Sequence, residues 1–205
     1  MRPDHKGTYQ VTLRSGDRVL VRPIRPDDKR TLLNAYERLS PESRYSRFFS
    51  VAPKLRAGQV RYLTEVDHHT HEALVAVDPR SSDGLGVARF IRSPDDPAVA
   101  EIAVAVIDDW QGRGLGTALL DGLTARAREE GVERFSAVVL AENRPMLDLL
   151  DGLGDVEVTG RDRGVVELLM DLPHEGMPDA LRHTVRGAAR GDDHLAAGHP
   201  AVDDD

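Results

Sequence analysis

The chain has 205 residues, 40% hydrophobic and 30% charged, with a formal net charge of −8 and no cysteine. That balance describes a soluble globular domain large enough for its own core, and it argues against a general binder of nucleic acid or of anionic membranes. Disulfides, thiolate metal sites and a cysteine nucleophile are excluded, and the opening MRPDHKGTYQ, without the apolar stretch of a signal peptide, places the protein in the cytoplasm.

YQVTLRSGDRVLVRPI carries two β-rich runs around Ser15-Gly16-Asp17, a hairpin signal. In RPDDKRTLLNAYERLS, Pro26 and Asp27 suit a helix start, and Leu32, Leu33, Tyr36 and Leu39 recur at helical spacing. SPESRYSRFFS restarts with Ser40 as N-cap and Pro41 at the first helical position; Tyr45, Phe48 and Phe49 read as core. AGQVRYLTEVD is a further short helix. His68, His69 and His71 read as a surface loop before the strand at Glu72 rather than a metal site. EALVAVD and GLGVARFIRS are strands, and AVAEIAVAVID is a long strand with few polar breaks. Leu115, Ala118, Leu119, Gly122 and Leu123 share one face of a helix that ends at Gly131. RFSAVVLA is a strand, RPMLDLLDGLG a helix, and VEVTGRDRGVVELLMDL a final hairpin. From His174 large apolar residues become few and the chain ends acidic, which predicts a mostly disordered tail.

The segment IDDWQGRGLGTAL, residues 107–119, places Gly112, Gly114 and Gly116 between a strand and a helix. Strand, glycine turn and helix in that order make an anion site, because a helix N-terminus carries free N–H groups and partial positive charge. A Walker A loop is excluded, since no lysine follows Gly116; a dinucleotide fingerprint fails at Thr117. Gln111, Gly114 and Gly116 fit a third pattern, Gln/Arg-x-x-Gly-x-Gly/Ala. Alone it reads equally well as a tight turn with a close helix–strand contact.

Context extends the pattern. The stretch from Ala100 to Gly154 has, in order, a strand carrying a glutamate, the glycine loop, a helix, and a second strand ending at Asn143 before another helix. It resembles the acetyl-CoA-binding half of the GNAT superfamily of N-acetyltransferases. VRPIRPDD, LSPESRYSRFF and DHHTHEALVAVDP are similar to the bacterial Pat-type protein lysine acetyltransferases, so that the resemblance covers about residues 9 to 172. It implies an α/β (α+β) fold with a mixed, mostly antiparallel sheet flanked by helices. The chain then divides into an N-terminal strand or hairpin arm (1–17), the N-acetyltransferase domain (18–173) and the acidic tail (174–205).

The resemblance also assigns roles. Backbone amides of Gly112, Arg113, Gly114, Leu115, Gly116 and Thr117 cradle the coenzyme pyrophosphate. Gln111 bonds a phosphate or caps the loop, and Arg113 adds charge there or is simply an exposed arginine. Val104, Ala105 and Val106 run beside the pantetheine arm on a strand that parts from its partner, with an amide acting as an oxyanion donor. Asn143 caps the next helix and contacts the coenzyme. Glu101 is the general base, and Ala100 and Ile102 beside it suggest burial. Where many relatives carry a tyrosine acid, this chain has Leu150, with Asp155 nearby, so no tyrosine acid is assigned. Arg44 and Arg47 lie on the segment that walls the acceptor side. The implied reaction is acetyl transfer from acetyl-CoA to an amine, without metal. The first reading of the acceptor is a protein lysine, an acyl-CoA synthetase among the candidate partners. A small-amine or antibiotic acetyltransferase and a non-catalytic acyl-CoA sensor are the alternatives. Without cysteine, direct attack in a ternary complex is expected.

Overall fold

The computed structural model describes residues 7–49 and 54–172; the acidic tail assigned to residues 174–205 lies outside the described residues. Strands β1 (Tyr9–Thr12) and β2 (Arg18–Pro23) form the predicted hairpin, closed by Leu13 N–H donating to Asp17 O at 2.8 Å. A short 3-10 turn at Pro26–Asp28 leads into α1 (Lys29–Glu37). Helix α2 (Pro41–Phe48) starts as its sequence predicts, with Ser40 Oγ accepting the Ser43 N–H at 3.1 Å. There follow α3 (Ala57–Thr64), β3 (His71–Val77), β4 (Gly84–Arg92) and β5 (Val99–Val106), then α4 (Leu115–Glu129) and β6 (Arg134–Leu140). Helix α5 (Arg144–Asp151) and the hairpin β7 (Val156–Asp162) and β8 (Val165–Asp171) complete the order.

One eight-stranded sheet runs β1-β2-β3-β4-β5-β6-β8-β7. Every neighbouring pair is antiparallel except β5 and β6, so the sheet is mixed and mostly antiparallel as expected. The arm of residues 1–17 contributes β1 to this same sheet and buries Leu13. Leu115, Leu119, Leu120 and Leu123 of α4 are buried in the main core with Ala100, Ile102 and Phe135; each of these leucines contributes roughly 1.5–3 kcal/mol. On the opposite face, Val87 and Arg89 of β4 and Ala105 of β5 meet residues of α1, α2 and α3 around a small cavity.

Two carboxylates fasten the outer loops. Asp28 accepts two bonds from Arg22, both at 2.7 Å, and the Arg25 N–H at 2.7 Å. Asp67 accepts the N–H groups of His69, Thr70 and His71 at 2.8–2.9 Å. Burial works to raise both carboxyls, but these bonds outweigh it and hold each below the ordinary range. A depressed folded value stabilises above the unfolded value and is lost as pH falls toward the folded one. Melting temperature should therefore drop as pH is lowered below about 4. The drop should be shallower in Asp28→Asn; an identical pH profile for that variant would contradict this assignment.

Candidate functional site

Strand β5 decides where a ligand can enter. It pairs with β6 only at Val99, Ala100 and Glu101, while its pairing with β4 continues to Val106. The even and odd backbone groups of β5 point to opposite neighbours. Ile107 N–H donates to Leu85 O, and Val99 O accepts from Ser93, both on the β4 side. Ala98 O accepts from Arg134 on the β6 side. By alternation, the N–H and C=O groups of Val104 and Val106 face the gap that opens after Glu101. The gap is part of a cleft of about 610 Å³, within the usual range for small-molecule sites.

The glycine loop closes one end of this cleft. Gly112 (φ 71°) and Gly114 (φ 89°) are left-handed, a conformation that side chains with a Cβ resist. A Cβ on Gly112 would meet nothing within 4 Å, so the bend is open above it. Gly116 has a different role: its Cβ would lie 3.0 Å from Leu149 Cδ2, and its absence lets α4 approach α5. The bend leads into α4, where Ala118 N–H is bonded to Gly114 O at 3.1 Å. The N–H groups before it, of Leu115, Gly116 and Thr117, have no intrahelical acceptor. Gly112, Gly114, Gly116 and Thr117 line the cleft. The side chain of Leu115 is in the core, 1% exposed.

A polar clamp holds α2 against the loop. Asp108 accepts the Ser40 N–H at 2.9 Å and the Ser43 hydroxyl at 3.1 Å. Gln111 Nε2 donates to Ser43 Oγ at 3.1 Å and to Val106 O at 3.0 Å. Its side chain thereby ties the loop to α2 and to the parted strand. Arg113 is likewise engaged: its guanidinium pairs with Asp17 at 3.2 Å and lies 5.1 Å from the Trp110 ring centroid.

Val104, Ala105, Val106 and Glu101 line the cleft, as does Asn143, whose Oδ1 caps α5 by accepting the Met146 N–H at 3.2 Å. Glu101 is exposed, against the burial expected from its neighbours; Ala100 and Ile102 project to the other face of the strand and are buried there. Tyr45 and Phe49 are also exposed, at 41% and 42%, and only Phe48 of the three packs against the core. Arg44 is used to cap α1, donating to Tyr36 O at 3.2 Å and Glu37 O at 3.1 Å. Leu150, in the place of the family's tyrosine, is fully buried, and Asp155 is exposed.

The three histidines part company. His68 bonds the buried Glu72 at 2.7 Å, His69 bonds Glu130, and His71 Nε2 accepts from Arg89 at 3.0 Å. Among the described residues no group of three metal-ligating side chains forms.

Nothing in the local sequence marks Arg14, because the hairpin that carries it lies about a hundred positions from the loop. Folding brings it to the cleft wall, its Cγ 3.4 Å from where a Cβ on Gly114 would sit. A cation there favours a bound phosphate. Arg14→Gln should weaken coenzyme A binding about three- to tenfold at low salt, as for a partly exposed charge pair, and less at high salt. Equal affinities by calorimetry at low salt would exclude that contact.

Residues 32–154 match the model of the acetyltransferase (GNAT) family. The chain is 39% identical over 163 residues to the acetyltransferase Pat of Mycolicibacterium smegmatis, covering 80% of this chain and 48% of that one. It therefore spans about half the length of that relative. Acetyltransferase PA5475 of Pseudomonas aeruginosa is 31% identical over 147 residues, 71% of this chain and 78% of that one. The crystal structure of the GNAT domain of S. lividans PAT superposes with a TM-score of 0.74 at 36% identity, covering 84% of this chain and all of that one.

Proposed function

The chain belongs to the acetyltransferase (GNAT) family, and from that premise we propose that it acetylates the ε-amine of a protein lysine by direct attack within a ternary complex. Enzymes of this family use acetyl-CoA. The observation that carries the reading is the parting of β5 from β6 just after Glu101. It sets open strand amides, the glycine loop and a carboxylate on one cleft.

The cleft suits the coenzyme. The amides from Gly112 to Thr117, with Arg14 beside them, would hold the pyrophosphate; Val104 and Val106 would bond the pantetheine arm; Asn143 would contact it from the far wall. The bound thioester supplies an activated acetyl group. A lysine ammonium has a pKa near 10.4, so freeing the amine at pH 7.5 costs about 3 units, or roughly 4 kcal/mol. Glu101, exposed on the cleft wall, accepts that proton directly or through one water as the amine nitrogen bonds the acetyl carbon. An open-side amide of β5 steadies the charge on the carbonyl oxygen. The thiolate leaves without a tyrosine acid.

Isotope-labelled acetyl-CoA offered with a soluble proteome and, separately, with a panel of small amines tests this reading. Label should pass into protein lysines. Label in small amines alone would replace the acceptor, and binding without transfer to either would make the chain a sensor.

A further inference from the structure

Beneath the acceptor side of the cleft lie two arginines that, among the described residues, form no ion pair with a carboxylate. Arg89 of β4 is 2% exposed. Its guanidinium donates to His71 Nε2 at 3.0 Å and to Leu63 O at 3.2 Å, both neutral acceptors. Arg47 of α2 lies with its guanidinium 4.9 Å from the Phe48 ring centroid. Among the described residues, no ion pair involves either arginine. Asp28, the acid lining the same cavity, is held by Arg22 through two 2.7 Å bonds.

Arg89 thus has hydrogen-bond partners but, among the described residues, no ion-pair partner, and the Arg47 cation is offset only in part, by Glu101. Burial works against the cationic form of Arg89, and the charge of Arg47 adds to the effect. A guanidinium does not give up its proton at neutral pH, so the site keeps its positive charge and favours any anion that arrives.

Position says which anion. Arg89 pairs across the strands with Ala103, whose neighbours two positions away on the same face are Glu101 and Ala105. Diagonal neighbours of this kind are about 7–8 Å apart. Arg89 and Arg47 line an inner cavity of about 50 Å³, enough for a group the size of a carboxylate. Arg47 and Ala105 also line the main cleft, so the cavity and the cleft share a wall beside Glu101.

We infer that Arg47 and Arg89 form a carboxylate-binding subsite, and that the preferred acceptor is a lysine with an aspartate or glutamate next to it in the protein substrate. This rests on the acetyltransferase reading above and adds the substrate class. Arg47 meets the acidic side chain, while Arg89 supplies the field behind it. The lysine amine is then delivered to Glu101.

The test uses the whole chain and two matched peptides, one with Lys followed by Asp and one with Lys followed by Asn. The Asp peptide should have the higher kcat/KM by about tenfold, the size of one charge-assisted hydrogen bond. Arg47→Gln should bring that ratio close to one without changing KM for acetyl-CoA, and Arg47→Lys should restore part of it. Arg89→Gln should do the same if it folds; the Arg47 variants suffice if it does not. Equal kcat/KM for the two peptides in the unmodified enzyme would overturn the subsite while leaving lysine acetylation standing. A third arm compares a free amino acid with its amide. Preference for the free acid, with neither peptide acetylated, would keep the subsite and assign its carboxylate to a small molecule. Failure to acetylate any amine would reject the acetyltransferase reading and this inference with it.

Discussion

Glu101→Gln is expected to lower kcat by about 10²–10⁴ at neutral pH, the usual cost of losing a general base. The substitution keeps the side-chain shape and removes only the proton acceptor. Among the described residues no hydrogen bond or ion pair ties Glu101 to the fold, and it is exposed on the cleft wall. Melting temperature and acetyl-CoA affinity should therefore change little. The charge it removes is one that Arg47 feels: burial works against the Arg47 cation and Glu101 partly offsets this. A pH profile separates a base from a merely electrostatic role. Without a base, the rate should climb with the fraction of free amine, so the deficit should narrow as pH approaches about 10, near the lysine pKa. Wild-type turnover in the variant, under conditions where chemistry limits the rate, would remove Glu101 from the mechanism.

Substitution at Gly114 should separate the two readings of the glycine loop. Its φ of 89° strains any residue with a Cβ, but Asn and Asp tolerate that region better than most. Gly114→Asn therefore controls for the backbone, and Gly114→Asp adds a charge at the place assigned to the pyrophosphate. Two unit charges ~5 Å apart interact by about 3 kcal/mol at an effective dielectric near 20, more than a hundredfold in affinity. Arg14, which lines the same cleft with its Cγ 3.4 Å from the added Cβ, would offset part of this. Coenzyme A should bind Gly114→Asp at least tenfold more weakly than Gly114→Asn, with circular dichroism unchanged. A pantetheine fragment without phosphates should bind both alike. Equal coenzyme affinities would mean that the glycines serve only the turn.

Local pattern carried most of the fold. The Ser40-Pro41 start of α2, the hairpin at Ser15-Gly16-Asp17 and the face of α4 all follow from residue spacing that one element satisfies by itself. The glycine loop was legible for the same reason: Gln111, Gly114 and Gly116 are close in the chain. What escaped depends on distant partners. Ser43 meets Gln111 from 68 positions away, and His69 meets Glu130 from 61. Arg113 meets Asp17 of the hairpin from 96 positions away. Glu101 shows a subtler limit. Apolar neighbours in a strand say nothing about the burial of the residue between them, since alternate side chains face opposite ways.

If this cleft delivers acetyl groups to protein lysines with Glu101 as base, the transfer is visible on the lysines themselves. Its most direct test is site-resolved mass spectrometry of a deacetylated proteome incubated with isotope-labelled acetyl-CoA. Three samples are needed: no enzyme, the unmodified chain, and Glu101→Gln. A discrete set of lysines should carry label with the unmodified chain and stay near the no-enzyme level with the variant. Labelling no higher than that of acetyl-CoA alone would rule out enzymatic lysine acetylation, and equal labelling by both proteins would rule out Glu101 as its base.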